Sequence, residues 1–134
     1  AQQAMEDAGI RFEDKLYGLS NYDFESAYHA MNGLLARRAE FTALFAMSDV
    51  IAFGAIRALV SAGLRVPEDV SVIGFDGITM SRYCVPVMPP IVQPSEQIAL
   101  QRIELMVRQI EHGTPAQTVT LQPELQQGES VRAI

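Results

Sequence analysis

The sequence has one cysteine, Cys84, and this scarcity excludes an internal disulfide as well as the paired-cysteine spacing of zinc sites. It also has no run approaching the ~20 apolar residues that a membrane-spanning helix needs. The first residues lack the basic-then-apolar order of a signal peptide. These absences suit a reducing compartment, and they predict no metal site, no membrane segment and an inert, packed thiol.

Positive charge is scarce too, because ten Lys and Arg stand against sixteen Asp and Glu and leave a net charge of -6. The basic residues are scattered from Arg11 to Arg132, and only Arg37 and Arg38 are adjacent. Binding to a phosphate backbone needs clustered positive charge, so this chain is not expected to contact nucleic acid itself. No phosphate loop or dinucleotide fingerprint occurs either, and we expect no cofactor.

What the sequence does have is apolar content, since 49% of its residues are hydrophobic and 19% are charged. With 134 residues, that is enough for one globular domain with a sizeable core. The opening segment AQQAMEDAGI resembles the last turns of a helix that Gly9 ends, and it carries no helix start signal. We therefore expect the chain to begin inside a helix of a longer protein.

Apolar spacing alternates along the chain between the periods of helix and strand. One helix is predicted to start after Asp23, and a second is predicted to be capped by Ser48 and Asp49. Strands are predicted on either side of the second helix, at 41–47 and 70–75. This order forms a β-α-β unit with parallel strands and a right-handed crossover. The prediction is an α/β fold with an open parallel sheet flanked by helices on both faces.

Weaker patterns occupy the rest of the chain. The segment 10–19 could hold a short extended piece, and four prolines within 86–94 allow only short extended pieces there. A long helix is predicted from Ser95 to His112, with Gly113 just after its end. A late strand is predicted within TVTLQPEL.

The strand 70–75 runs directly into Asp76 and Gly77. Ligands of open parallel sheets bind beyond the carboxyl ends of the strands, where Asp76 is expected to lie. A carboxylate there can accept hydrogen bonds from two neighbouring hydroxyls of a sugar, and Gly77 allows the backbone to approach closely. The alternative is that Asp76 caps a turn, as aspartate often does after a strand. The residues alone leave both interpretations open.

Two linked stretches identify a family. LFAMSDVIAFGAIRALVSAGLRVPEDVSVIGFDG, followed by PVMPPIVQP, strongly resembles the effector-binding core of LacI/GalR-type transcription regulators, whose fold is shared with periplasmic sugar-binding proteins. The resemblance covers most of residues 20–130 and implies one lobe of a two-lobed, periplasmic-binding-protein-like fold. In that arrangement 1–91 would form the C-terminal lobe, 92–121 would cross to an N-terminal lobe, and 122–134 would return.

The resemblance also implies a site and a function. The family's cleft contacts fall on Tyr22, Ser48, Asp76 and Gln93, which would hold a small sugar-like or nucleoside-like effector. Effector binding would alter the affinity of a separate DNA-binding headpiece for operator DNA, in the cytoplasm. Three features depart from the family pattern: Ser48 replaces the usual Asn, Gly77 replaces an Asp, and Pro89-Pro90 replaces Thr-Thr.

Two other functions stay open at this point. A periplasmic sugar receptor of the same fold would also carry GFDG and would pass its ligand to a transporter, although GLRVPEDVSV and the proline-rich crossing favour the regulator. An enzyme is disfavoured, because His29 and His112 lie on predicted helices with no spaced nucleophile or acid to indicate a triad. We therefore predict a receptor without catalytic residues.

Two apolar helix faces require partners. The helix at 49–62 is apolar nearly all round, and four residues should face the sheet: Ala52, Ala55, Ile56 and Leu59. The resemblance implies that another face meets a second subunit of a dimer, through Val50, Phe53, Arg57 and Val60. A neighbouring helix of the same chain is the alternative cover. The helix at 95–112 carries a further stripe, which would pack either on an N-terminal lobe or back on its own lobe: Ala99, Ile103, Met106, Val107 and Ile110.

Overall fold

A computed structural model describes residues 2–38, 40–113 and 115–133. The helices are α1 (Gln2–Asp7), α2 (Phe24–Ala36), α3 (Asp49–Ser61) and α4 (Ser95–His112). The strands are β1 (Ala43–Phe45), β2 (Ser71–Asp76), β3 (Pro90–Val92) and β4 (Glu124–Leu125). Two short 3-10 turns lie at Asp14–Leu16 and Thr79–Tyr83.

The four strands form one sheet in the order β1-β2-β3-β4. β1 is parallel to β2, with Leu44 opposite Val72, so the predicted β-α-β unit is confirmed. β2 and β3 are also parallel, whereas β4 runs antiparallel to β3. The α/β prediction is confirmed, but the sheet is mixed at its last strand. α4, which lies between β3 and β4 in the chain, has no buried residue, unlike α3 of the β-α-β unit.

The core lies between the sheet and two helices, with α2 packed against α3 and contributing Met31 and Leu34 to the same buried cluster. The four α3 residues predicted to face the sheet are all buried: Ala52, Ala55, Ile56 and Leu59. Gly54 brings α2 close, because a Cβ at this position would lie 2.7 Å from Ala27 Cβ and would meet the backbone oxygen of Phe24. α2 of the same chain therefore covers part of the apolar surface of α3 that does not face the sheet.

The segment 10–19 contains a 3-10 turn at its centre and no strand of the sheet. Its amides bond locally, since Leu16 N donates to the carbonyl of Glu13 at 2.8 Å and Tyr17 N donates to that of Asp14 at 3.1 Å. These bonds close a 3-10 turn. Glu13 and Tyr17, on either side of the turn, have extended backbone, but within the described residues the segment pairs with no strand.

α4 has the predicted bounds and ends at Gly113, whose φ of 62° is the left-handed conformation of a helix C-cap. None of its residues is buried, and the larger members of its predicted stripe are between 43% and 77% exposed: Ile103, Met106, Val107 and Ile110. The described residues therefore leave the stripe uncovered. Among the helices they form, none is both long enough and apolar enough to cross a membrane.

The last described segment returns to the sheet after β4. Ser130 is fully buried, its hydroxyl donates to the carbonyl of Val72 at 2.6 Å, and Val72 N donates back to the carbonyl of Ser130 at 2.8 Å. A Cβ on Gly128 would meet the backbone nitrogen of Pro89. This segment is thus fixed against β2 and the start of β3.

Candidate functional site

Two of the residues predicted to bind a ligand lie together at the carboxyl ends of neighbouring parallel strands. Asp76 is the last residue of β2 and is paired with Val92, the last residue of β3, so Gln93 follows beside it. The Gln93 side-chain amide donates to Asp76 Oδ1 at 2.7 Å. The sheet geometry therefore brings Asp76 and Gln93 into direct contact, as parallel pairing predicts.

Asp76 and Gln93 line an open cleft of about 650 Å³ between the edge of the sheet and the first turns of α4. Its other polar side chains are those of Thr79, Ser95 and Arg102. Asp76 Oδ2 accepts no hydrogen bond from the described residues, so one carboxylate oxygen is available to a ligand. A site made of a carboxylate, an amide, two hydroxyls and a guanidinium can bind a polyhydroxylated molecule through both its donors and its acceptors.

The backbone at Asp76 adopts a conformation that aspartate seldom takes. Its φ is 114°, and that of Gly77 is 77°. A non-glycine residue in such a region costs about 1–3 kcal/mol, so surrounding contacts must hold it there. Gly77 is also sterically required, because a Cβ would lie 2.6 Å from Val92 Cγ2. The close approach of β3 therefore accounts for glycine where regulators often have a second aspartate.

A second aspartate, Asp49, which the sequence predicts only as a helix cap, holds this turn. Asp49 is fully buried, and its Oδ2 accepts hydrogen bonds from Gly77 N at 2.9 Å, Ile78 N at 2.8 Å and Ser81 Oγ at 2.7 Å. Its position in the first turn of α3 also places the carboxylate near the positive end of the helix dipole. Asp49 thus connects the start of α3 to the loop that follows β2.

The contact between Asp49 and Ile78 N bears on the turn-cap interpretation of Asp76. An aspartate that caps a turn accepts the amide two residues ahead of it, which for Asp76 is Ile78 N. That amide donates to Asp49 instead. Asp76 is therefore not the turn cap, and its carboxylate remains at the cleft.

The prediction that Asp49 caps α3 was wrong. Ser48 is the N-cap, with its hydroxyl oxygen accepting from Ile51 N at 3.2 Å. The buried carboxylate of Asp49 fits because residue 74 is glycine: a Cβ on Gly74 would meet Asp49 Oδ1. Oδ1 itself has no hydrogen-bond partner among the described residues. Gly74 lies inside a buried strand, and a glycine at such a position is a sequence signal that another group, here the Asp49 carboxylate, approaches the backbone closely.

The other two predicted ligand residues lie outside the Asp76 cleft. Ser48 is only 4% exposed and lines neither this cleft nor the second cavity. Tyr22 is 73% exposed and borders that second cavity, of about 400 Å³, together with Tyr17, Phe45 and Met47. The structure therefore separates Tyr22 and Ser48 from the Asp76-Gln93 pair.

The remaining reactive side chains give no sign of catalysis. Burial raises the pKa of the Cys84 thiol, and the negative charge of Asp49 raises it further, so the reactive thiolate is disfavoured. His29 lies exposed beside Glu25, with Nε2 3.9 Å from its carboxylate, and His112 is exposed at the end of α4. In the part of the chain that the structure describes, no three acidic, histidine or cysteine residues are grouped as metal ligands.

Comparison with known proteins places this geometry in a family. A family model described as a periplasmic binding protein-like domain matches residues 1–131. The chain belongs to this family. Its cleft at the carboxyl ends of β2 and β3 lies where such open parallel sheets hold their ligands.

The similar curated proteins include transcriptional regulators. The HTH-type transcriptional regulator MalR of Clostridium butyricum is 36% identical over 129 residues, which are 96% of this chain and 38% of MalR. The HTH-type transcriptional repressor PurR of Serratia proteamaculans is 35% identical over 130 residues, again 96% of this chain and 38% of the relative. The chain therefore spans about two fifths of the length of these relatives.

Similar solved structures are also those of transcriptional regulators. A transcriptional regulator CelR-cellobiose complex superposes with a TM-score of 0.89 at 32% identity, covering 96% of this chain and 40% of that one. A sugar-binding LacI-family regulator from Escherichia coli, complexed with phosphate, superposes with a TM-score of 0.87 at 32% identity, covering 97% and 47%. The LacI-type resemblance seen in the sequence is confirmed, as is the periplasmic-binding-protein-like fold.

Proposed function

We propose that this chain is the ligand-sensing part of a transcriptional regulator. A small carbohydrate or nucleoside-like effector binds in a cleft between two lobes, and its binding alters the affinity of the whole protein for operator DNA. The observation that carries the proposal is the carboxylate of Asp76, which faces a cleft with one oxygen unbonded while Asp49 takes over the turn beside it.

The chemistry of the cleft favours a polyhydroxylated effector. Asp76 can accept from two adjacent hydroxyls, and Gln93, already bonded to Asp76, can donate its second amide hydrogen. Cellobiose and lactose are named in the complexes of two similar regulators, and ribose is bound in a third. Tyr22 and Ser48 lie outside the cleft that this chain forms alone, and they stay in the proposal as contacts that the family resemblance implies, Tyr22 through ring stacking and Ser48 through its hydroxyl hydrogen.

We assign the lobes by how the segments pack. Residues 1–91 form the C-terminal lobe, and 122–134 belong to it because Ser130 exchanges hydrogen bonds with Val72. Residues 92–121 cross to a second lobe, since α4 within them has no buried residue. The second lobe then supplies the other wall of the cleft. A separate headpiece contacts operator DNA.

We also propose a homodimer through the C-terminal lobe. Arg57 is exposed and Val60 is 50% exposed, while Val50 and Phe53 are half-buried on the same side of α3. Val60→Glu should dissociate the dimer of the intact protein in light scattering, with the exposed neighbour Ser61→Glu as the control. A Val60→Glu protein that stays dimeric would remove this interface from the proposal.

The proposed regulator works in the cytoplasm, where operator DNA lies, and it leaves its effector chemically unchanged. Similar curated proteins are regulators, and the described histidines and cysteine form no catalytic group. No membrane, metal or cofactor takes part in this mechanism.

The direct test uses the intact protein and a panel of sugars and nucleosides. Thermal unfolding should shift upward with an effector, because a ligand that binds only the folded state at 100 times its Kd adds about 2.7 kcal/mol of stability. The same compound should then change the affinity of the protein for operator DNA. Binding of a sugar by a protein that shows no DNA affinity at low salt would favour a transport receptor instead.

A further inference from the structure

Asp49 does not line the open cleft. It is hydrogen-bonded to the turn that follows Asp76, whose residues Gly77 and Ile78 do line the cleft. Its Oδ2 holds three donors of that turn: the amides of Gly77 and Ile78 and the hydroxyl of Ser81. Ser81 is fully buried, as is Asp49 itself. The turn is therefore fixed from inside the protein, on the side away from the cleft.

The residue just before this turn is Asp76, with its unusual φ of 114°. A backbone conformation that costs free energy persists only where neighbouring contacts define it. Gln93 contacts Asp76 itself, through its backbone amide to the Asp76 carbonyl at 3.4 Å and its side-chain amide to Oδ1 at 2.7 Å. The two residues that follow Asp76 are held by Asp49, which accepts both of their amides. If they lost this acceptor, Ile78 N would be free to donate to the carboxylate of Asp76, as in an ordinary aspartate turn.

We propose that Asp49 is a positioning residue for the Asp76 site. By accepting the amides of Gly77 and Ile78, it keeps Asp76 in its positive-φ conformation and prevents the Asp76 carboxylate from capping its own turn. The carboxylate then stays available to the effector. The positioning role of Asp49 rests on the proposed function only in that the ligand of Asp76 is taken to be the effector.

Asp49 is also the first residue of α3, the helix to which the dimer contact is assigned. The same side chain thus links the cleft turn to that helix.

The experiment compares variants of the intact protein by residue-resolved hydrogen exchange without ligand. Asp49→Ala should raise exchange at Gly77 and Ile78 at least tenfold, while the amide of Val72, bonded to Ser130 inside the sheet, changes no more than in the control. The control is Asp69→Asn, which removes a carboxylate that accepts Arg65 N at 2.8 Å at the other end of β2. Unchanged exchange at Gly77 and Ile78 would overturn the proposal.

Binding of cellobiose, lactose and ribose by calorimetry adds a readout that a merely structural role would not move. If Asp49 acts through Asp76, Asp49→Ala should raise Kd about tenfold, and the double variant with Asp76→Ala should bind no more weakly than Asp76→Ala alone. Additive losses would contradict the proposal. If the wild type binds none of the three sugars, the carbohydrate assignment loses support and exchange alone decides the role of Asp49.

Asp49→Asn keeps the test decisive if Asp49→Ala fails to fold. It preserves the volume and one acceptor oxygen, but hydrogen bonds to a neutral acceptor are roughly half as strong as those to a carboxylate. Exchange at Gly77 and Ile78 should then rise by an intermediate factor, and wild-type exchange in this variant would equally overturn the proposal.

Discussion

Two aspartates meet the turn after β2 in opposite ways. Asp49 is fully buried, and burial of a carboxylate is tolerated because three donors and the start of a helix offset the loss of water. Asp76 is only partly buried and accepts one side-chain hydrogen bond. The first carboxylate therefore stabilises structure, and the second retains an oxygen for binding.

A third aspartate predicts a pH dependence of stability. Side-chain hydrogen bonds from Arg65, at 2.9 and 2.8 Å, lower the pKa of the Asp69 carboxyl from 3.8 to about 2, and the Arg65 backbone amide assists. A group whose pKa is lower in the folded state stabilises the fold above its unfolded pKa. That stability is present above about pH 4 and is lost as pH falls through about 2.

The free energy of unfolding in urea, measured between pH 5 and pH 2, tests the contribution of Asp69 to stability. The wild type should lose more stability over that interval than Asp69→Asn, which has no carboxyl to protonate. Parallel pH profiles for the two proteins would show that Asp69 contributes nothing of this kind.

For single residues, the sequence predicted the position of Asp76 but missed the role of Asp49. Asp76 could be placed because it follows a predicted strand of a parallel sheet, whereas Gln93 was placed only by the family resemblance, since the strand before it was not predicted. The role of Asp49 could not be predicted, since its donors lie 28 to 32 residues further along the chain. Local rules suggest only that an aspartate at a helix start is a cap, and Ser48 already fills that position.

At the scale of elements, the contact between α2 and α3 depends on Gly54. A Cβ there would lie 2.7 Å from Ala27 Cβ and would meet the α2 backbone at Phe24, so the helices would have to separate. We expect Gly54→Ala to destabilise the fold by about 1–3 kcal/mol, the usual cost of overpacking.

Gly33→Ala on α2 is the matched control. A Cβ at Gly33 meets nothing within 4 Å, so the same substitution should stabilise the helix by about 0.5–1 kcal/mol. Denaturant midpoints of the two variants should therefore move in opposite directions. Gly54→Ala unfolding at or above the wild-type midpoint would contradict the close helix contact.

Helices were predicted more closely than strands, and caps explain the difference. Asp23 accepts Ser26 N at 2.7 Å at the start of α2, and Gly113 ends α4, so local residues define both boundaries. A strand is defined by pairing with distant residues. β1 therefore covers only three residues of the predicted 41–47, and β4 covers two.

At the scale of the whole molecule, the apolar stripe of α4 is the main unsatisfied surface. Burial of each larger side chain is worth about 1.5–3 kcal/mol, so its exposure gives a strong drive toward another apolar surface. In the proposed two-lobed protein the second lobe covers the stripe. The alternative that α4 folds back on its own lobe is not supported, because no α4 residue is buried.

Light scattering on the 134-residue chain alone tests this assignment. The chain should self-associate, and Ile103→Glu with Met106→Glu should relieve the association while the circular dichroism is preserved. A wild-type monomer that the double variant unfolds would show instead that the stripe belongs to the core of this lobe.

In the proposed mechanism, effector binding depends most on Asp76. Calorimetry on the intact protein, with the effector found in the panel, compares the wild type with Asp76→Ala. Loss of a charge-assisted acceptor costs about 1.5–3 kcal/mol, so the variant should bind at least tenfold more weakly. Asp7→Ala, at an exposed site on α1, should bind as the wild type does. Equal affinities for wild type and Asp76→Ala, with the fold intact, would contradict the account.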